Sequence, residues 1–225
     1  MNRPLYLVRH GETTYNASGR MQGQLDTELS ERGHAQARQA AELLADVHIT
    51  RIVASDLNRA ATTAGYIAER LGLEVTTDSR LRETHLGDWQ GMARSEVDAQ
   101  YPGSRAQWRN DATWTPPGGE SRVDVCRRIR PVVDELMEEY SEWDDGGVLL
   151  VAHNGAISAL ACALLDLEVG QFPMLSSLKN THWAKLVARP VFDPAADRRA
   201  PRFADAADAR SAQWFLEGWN MGRGD

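Results

Sequence analysis

Along the chain, short unbroken runs of apolar residues alternate with longer stretches in which apolar positions recur every three or four residues. Three runs stand out: Leu5-Tyr6-Leu7-Val8, Ile52-Val53-Ala54 and Val148-Leu149-Leu150-Val151-Ala152. Runs of this kind predict strands covered on both faces, as in the parallel sheet of an α/β protein. A polar cluster follows each: Arg9-His10-Gly11, Ser55-Asp56-Leu57-Asn58-Arg59 and His153-Asn154-Gly155. Helical patterns come next, so the clusters fall at strand C-terminal ends, where open α/β sheets hold ligands.

The helices are read from spacing and caps. After Ser30, the residues Ala37, Ala40, Ala41, Leu44 and Val47 follow the rhythm of one buried face. Asp56 is the expected cap of a second helix that runs to about Leu71 and stops at Gly72. Ser121, with Asp124 three residues on, opens a third through a capping box. That helix is expected to bury Val125, Ile129, Val132, Leu136 and Tyr140, and Pro131 inside it should kink or split it. Ala156 to Leu165 predicts a fourth, apolar nearly all round and hence buried. Residues 94–120 contain Pro102-Gly103, Pro116-Pro117-Gly118-Gly119, Trp108 and Trp114, too irregular for a long element, and read as an insertion covering the site. Pro190 to Ala212 reads as an exposed loop that returns to an apolar strand at Trp214-Phe215-Leu216. No internal repeat or Ser/Gly linker divides the chain, so 1–225 counts as one α/β domain.

Composition narrows the class. With 42% hydrophobic and 25% charged residues, the 225-residue chain has an ordinary globular balance. The first apolar run is too short for a signal peptide and ends in a charge, and no stretch approaches a membrane span, which points to the cytoplasm. Cys126 and Cys162 stand apart from other metal-type ligands and read as free buried thiols. A formal charge of −7 speaks against nucleic-acid or anionic-membrane surfaces. It leaves an anionic small molecule open, because bidentate arginine contacts are short-ranged.

The candidate chemistry starts from Leu7-Val8-Arg9-His10-Gly11-Glu12-Thr13. An Arg-His-Gly tripeptide alone is a weak signal, and its weight comes from four further pieces. These are Asn16 with Gln22-Gly23, Arg59 after the second strand, Glu83 within Arg80-Leu81-Arg82-Glu83-Thr84-His85-Leu86-Gly87-Asp88-Trp89-Gln90-Gly91, and His153 before Asn154-Gly155.

Taken together, these pieces resemble the histidine phosphatase superfamily, in its phosphoglycerate-mutase-like branch, over nearly the whole chain. The resemblance implies a three-layer α/β/α sandwich with a mostly parallel central sheet. It implies that His10 is the nucleophile, that Arg9, Arg59 and His153 complete its phosphate pocket, and that Glu83 is the proton donor. Asn16, Gln22 and Gly23 match positions that help hold the phosphate. His85 is added as a substrate-binding candidate because it lies two residues from Glu83, whereas His34, His48 and His182 read as structural. Asn154 departs from the family pattern, which has glycine after the second histidine, and it places a polar side chain near the pocket.

The chemistry is consistent with those roles. A phosphomonoester is a dianion, so a nucleophile approaches only after its oxygens are neutralised, and guanidinium forks do this directionally. Imidazole, with an ordinary pKa of about 6.5, offers a neutral ring nitrogen near neutral pH. Gly11 lets backbone approach the phosphate. A carboxylic acid at Glu83 would protonate a poor alkoxide leaving group, and His153 would donate to a nonbridging oxygen. With arginines and histidines in the place of a cation, neither metal nor cofactor is required. The modest gap from Glu83 to His153 favours hydrolysis over a mutase reaction. Residues 21–31, the Glu83 loop and residues 111–125 add a finer resemblance that implies a glycosylated phosphoglycerate as substrate. A broad-specificity acid phosphatase and a mutase are the alternatives; a non-enzymatic phospholigand-binding protein would tolerate loss of the nucleophile or acid, and both are present. The apolar tail with Trp214 and Trp219 offers a surface for a homodimer.

Overall fold

The three apolar runs occupy the centre of a six-stranded sheet of order β3-β2-β4-β1-β5-β6. A computed structural model describes residues 2–144, 146–191, 203, 209 and 211–223. The strands are β1 (Arg3–Arg9), β2 (Ile49–Ala54), β3 (Val75–Thr77), β4 (Gly147–Ala152), β5 (Trp183–Arg189) and β6 (Gln213–Met221). Pairings among β3, β2, β4 and β1 are parallel, and β5 and β6 add antiparallel pairings at one edge.

Alternation along the strands sorts their side chains into two cores. Leu5, Leu7, Val53, Val148, Leu150 and Ala152 face one, and Val8, Ile52, Ala54, Leu149 and Val151 face the other. The first core is closed by α6 (Arg122–Glu139) and α7 (Asn154–Leu164). The second is closed by α2 (Glu31–Leu43) and α3 (Asn58–Leu71). The result is a three-layer α/β/α sandwich, with a short α1 (Thr14–Ala17) after β1.

Several local expectations change. The N-cap of α3 is Leu57, without a side-chain cap. The Asp56 carboxylate instead holds the Arg82 guanidinium, at 2.6 and 2.8 Å, and the Asn58 amide donates to Asp26 at 2.7 Å. A charged partner outcompetes a local cap. Pro131 does not split α6, which runs unbroken from Arg122 to Glu139. The carbonyl that Pro131 leaves without a helical partner belongs to exposed Arg127, on the solvent side of the helix. Tyr140 follows that helix as its C-cap and donates its hydroxyl to the Thr50 carbonyl at 3.1 Å. The capping box at Ser121 and Asp124 is formed.

Residues 94–120 are more regular than their composition suggests, carrying α4 (Arg94–Gln100) and α5 (Ser104–Asn110). They pack beside Trp89, whose indole is fully buried against Trp108 and Trp114. β3 and β5 were not anticipated from the apolar runs, and β6 extends well past Trp214-Phe215-Leu216. Trp214 is buried against Trp143, and half-buried Trp219 donates its indole N–H to the Ser176 carbonyl at 2.9 Å. The expected loop from Pro190 to Ala212 lies mostly outside the described residues. Cys126 and Cys162 are free and buried.

One close approach fixes the loop after β1. A Cβ on Gly11 would lie 2.5 Å from the Gly33 carbonyl oxygen, and a Cβ on Gly33, in the first turn of α2, would overlap the Glu12 carbonyl. Gly33→Ala should therefore destabilise the fold by roughly 2–3 kcal/mol, lowering Tm by roughly 4–12 °C. Gly65→Ala, with open space around it in α3, should be neutral or stabilising. Thermal unfolding of both variants checks this; equal Tm values would contradict it.

Candidate active site

β1 and β4 are parallel neighbours with Arg9 opposite Ala152, so His10 and His153 leave the sheet side by side. The His10 amide donates to the Ala152 carbonyl at 3.1 Å, and the two ring centroids are 5.1 Å apart. Both rings are buried, at 3% and 0% exposure. Ser55 leaves β2 beside them. Its amide donates to the Val151 carbonyl at 2.9 Å, and its hydroxyl is 2.9 Å from His153 Nε2.

Arg59, in the first turn of α3, is fully buried. Its guanidinium donates to the Leu25 and Gly23 carbonyls, both at 2.8 Å. Arg9 donates to the Leu178 carbonyl. Among the described residues no carboxylate lies within ion-pair distance of either arginine. Burial pushes Arg59 down to about 10, Glu83 and Asp26 opposing the shift. Burial likewise lowers Arg9 from its ordinary value.

The same desolvation, reinforced by Arg59 and Arg9, holds His10 well below the usual imidazole range. His153 is held well below it too, by burial first and then by Arg59, His10 and Arg9. His10 Nδ1 lies 2.6 Å from the Gly11 carbonyl, which can only accept. Nδ1 therefore carries the proton of the neutral ring, and Nε2 carries the lone pair.

Glu83 is seated on the N-terminus of α7. Oε1 accepts from the Thr84 amide at 2.8 Å and the Ala156 amide at 3.0 Å, and Oε2 accepts from the Gly155 amide at 3.1 Å. A helix N-terminus presents free amides and a positive dipole end to such a group. A Cβ on Gly155 would lie 2.5 Å from Oε1, so this seat requires glycine there.

His10, Arg9, Arg59 and Glu83 line one end of a cleft of about 610 Å³, with His153 and Ser55 buried behind its wall. Arg9, His10, Arg59 and Glu83 meet Asn16, Gln22, Gly23 and Asn154 at that end, and Trp108, Arg122, Ser158, Cys162 and Phe172 line its extension. Gln22 Oε1 accepts from the Thr13 and Thr27 hydroxyls, and its amide nitrogen has no partner among the described residues. Asn16 caps the turn after His10 and accepts from Asn180. Asn154 accepts from the Leu178 amide at 2.8 Å and so steadies the carbonyl that orients Arg9.

Three expected site residues lie outside the cleft lining, and of these His153 stays at the site, its ring tilted behind that of His10 at a centroid distance of 5.1 Å. His85 lines a separate shallow cavity with Arg82 and Arg128, because its backbone is zipped to Glu120 on the side away from the cleft. Gly11 does not line the cleft; its amide donates to the Thr63 hydroxyl, and contact with Gly33, not approach to a ligand, explains the absent side chain. The sequence reading missed the Ser55 hydroxyl, Thr63, Asn180 and the cleft arginines Arg94, Arg109 and Arg122. Arg94 and Arg122 bracket the irregular segment, and that placement was their only signal.

Among the described residues, no group of three or more His, Cys, Asp or Glu side chains is placed to hold a metal ion. No helix there is long and apolar enough to cross a membrane.

The model of the histidine phosphatase superfamily (branch 1) matches residues 5–190. The chain belongs to that superfamily. This histidine phosphatase is 49% identical over 223 residues to the glucosyl-3-phosphoglycerate phosphatase of Mycobacterium tuberculosis, covering 97% of this chain and 94% of the relative. It is 37% identical over 169 residues to phosphoserine phosphatase 1 of Hydrogenobacter thermophilus, covering 75% and 79% of the two chains. Among solved structures, the mycobacterial glucosyl-3-phosphoglycerate phosphatase in complex with VO3 superposes with a TM-score of 0.87 at 48% identity, covering 98% of this chain and all of that one. Family and relatives together make the protein a phosphatase.

The two neutral histidines carry a stability signature. Below about pH 6.5 the unfolded chain binds protons that the native rings refuse, so stability falls as pH falls, by up to ~1.4 kcal/mol per pH unit for each ring. Urea unfolding in phosphate-free buffer at about pH 7.5 and about pH 5.5 should show this loss, and His153→Asn should make it shallower. An unchanged slope in the variant would contradict the assignment.

Proposed function

We propose that this histidine phosphatase hydrolyses glucosyl-3-phosphoglycerate to glucosylglycerate and phosphate through a phosphohistidine at His10. The observation that carries the reading is a set of buried nitrogens without partners among the described residues, Arg9 Nε, Arg59 Nε and His153 Nδ1, around an imidazole held well below its ordinary pKa. Buried donors left unpaired cost about 1–3 kcal/mol each, and the oxygens of a phosphate dianion supply the missing acceptors.

In the first step His10 Nε2 attacks phosphorus; the N–P bond forms as the ester O–P bond breaks, and Glu83 gives its proton to the departing alkoxide. Glu83 Oε1 already accepts two amides and Oε2 one, so Oε2 is the oxygen that carries the proton. Arg9 and Arg59 neutralise the transferring oxygens. The Ser55 hydroxyl accepts from the Leu57 amide and donates to His153 Nε2, which leaves His153 Nδ1–H as the donor to a nonbridging oxygen. In the second step Glu83 takes a proton from water, the water oxygen attacks phosphorus, and the N–P bond returns its electrons to His10. Asn16, Gln22 and Gly23 hold the phosphate from the opposite loop.

The substrate is supported by the relatives' names across the full length and by the extent of the cleft. Its volume suits a ligand well beyond phosphate. Arg94 and Arg122 have no carboxylate partner among the described residues and provide cations for the glycerate carboxylate, with the Arg122 guanidinium carried over the Trp108 ring at 5.6 Å.

A panel of glucosyl-3-phosphoglycerate, 3-phosphoglycerate and an aryl phosphate, assayed in EDTA, tests this. The glucosyl ester should show the highest kcat/KM by about tenfold or more. Comparable values on all three would overturn the substrate; turnover lost in chelator and restored by a divalent ion would overturn the mechanism.

A further inference from the structure

Nothing in the two-step reaction uses Arg128, yet no other guanidinium in the described residues is so fully committed to backbone around the site. It projects from α6 with its side chain 21% exposed and does not line the cleft. Nη1 donates to the carbonyls of Arg80 at 2.6 Å and Arg82 at 3.1 Å, and Nη2 donates to that of Glu83 at 3.3 Å. Nε and Nη2 donate to the two oxygens of Glu120, each at 2.9 Å. Five donations in a fixed fork use every N–H that a guanidinium has.

Glu120 completes the arrangement from the other side of Glu83. Its Oε2 accepts from the His85 amide at 2.8 Å, and its own amide donates to the His85 carbonyl at 2.8 Å. Gln24 adds a donation to the Glu83 carbonyl at 3.0 Å. The main chain is thus held at residues 80, 82 and 83 on entry and at residue 85 on exit, while the Glu83 carboxylate is held independently by the α7 amides. α6 and α7 pack directly on one another, so both anchors belong to one rigid layer.

We infer that Arg128, with Glu120, is a positioning residue for proton transfer: the pair clamps the backbone on either side of Glu83 so that the Oε2 proton meets the leaving oxygen. The inference rests on Glu83 being the proton donor. Misplacement of a reacting group by about 1 Å costs on the order of a hundredfold in rate, so a clamp of this kind affects kcat without touching substrate. Substituting lysine keeps the charge but cannot reproduce the fork, because one ammonium has three donors and no plane.

Leaving-group dependence separates positioning from mere stability. An aryl phosphate releases a phenolate that departs without protonation, whereas the glucosyl ester releases an alkoxide that needs the acid. In Arg128→Met and Arg128→Lys, kcat on the glucosyl ester should fall by about tenfold or more, with KM within about twofold, and kcat on p-nitrophenyl phosphate should stay within about threefold. Glu120→Gln, which keeps the shape of the clamp, should show the same pattern more weakly and serves if the Arg128 variants fail to fold. Glu83→Gln is run alongside. If Glu83→Gln discriminates between the substrates while the Arg128 and Glu120 variants lose both activities alike or neither, the positioning inference alone is overturned. If Glu83→Gln itself lowers both substrates equally, Glu83 is not the donor and both readings fall.

Discussion

Everything at this site depends on Arg59, a guanidinium with no exposed surface and no carboxylate within ion-pair distance among the described residues. A buried cation is costly unless its donors are satisfied. Here two backbone carbonyls, at Gly23 and Leu25, satisfy part of the need, and Nε is left over. Positive charge is therefore fixed in a water-poor place beside two imidazoles. Desolvation first, and that charge second, hold His10 and His153 well below the usual imidazole range, so the conditions that attract a dianion also preserve the lone pair that the proposed attack requires.

The sheet delivers these groups together. Because β4 lies between β1 and β2, the residues leaving their C-terminal ends converge: Arg9 and His10 from β1, Ser55 from β2, His153 from β4. The helices then contribute by their ends. α3 brings Arg59 in its first turn, and α7 offers its amides to Glu83. The Gly11 to Gly33 contact locks α2 against the loop that follows His10, the proposed nucleophile.

Much of this was legible in the sequence, for a physical reason. His10, Arg59 and His153 stand directly at strand ends or in a first helical turn, and apolar runs make those points easy to find. Glu83 was legible through its motif. What sequence did not reveal are contacts whose acceptor is backbone: Leu25, Gly23 and Leu178 orient the arginines through carbonyls that any residue carries. Asp56 looked like a cap and is an ion-pair partner of Arg82, because a partner 26 residues away is invisible to local pattern. Gly11 was rightly singled out for the wrong contact, and β5, paired with β1 on one side and β6 on the other, escaped notice because Lys185 divides its apolar run.

Desolvation by the arginine-lined pocket holds His10 neutral and, on the proposed mechanism, ready to attack phosphorus. Rapid quenching of the enzyme with substrate labelled in the phosphoryl group, followed by peptide mapping, tests it most directly. An acid-labile, alkali-stable phosphoryl group is expected on the peptide bearing His10, formed and consumed at rates compatible with turnover and absent in His10→Ala. Full turnover by His10→Ala, or label recovered on any other side chain, would contradict it.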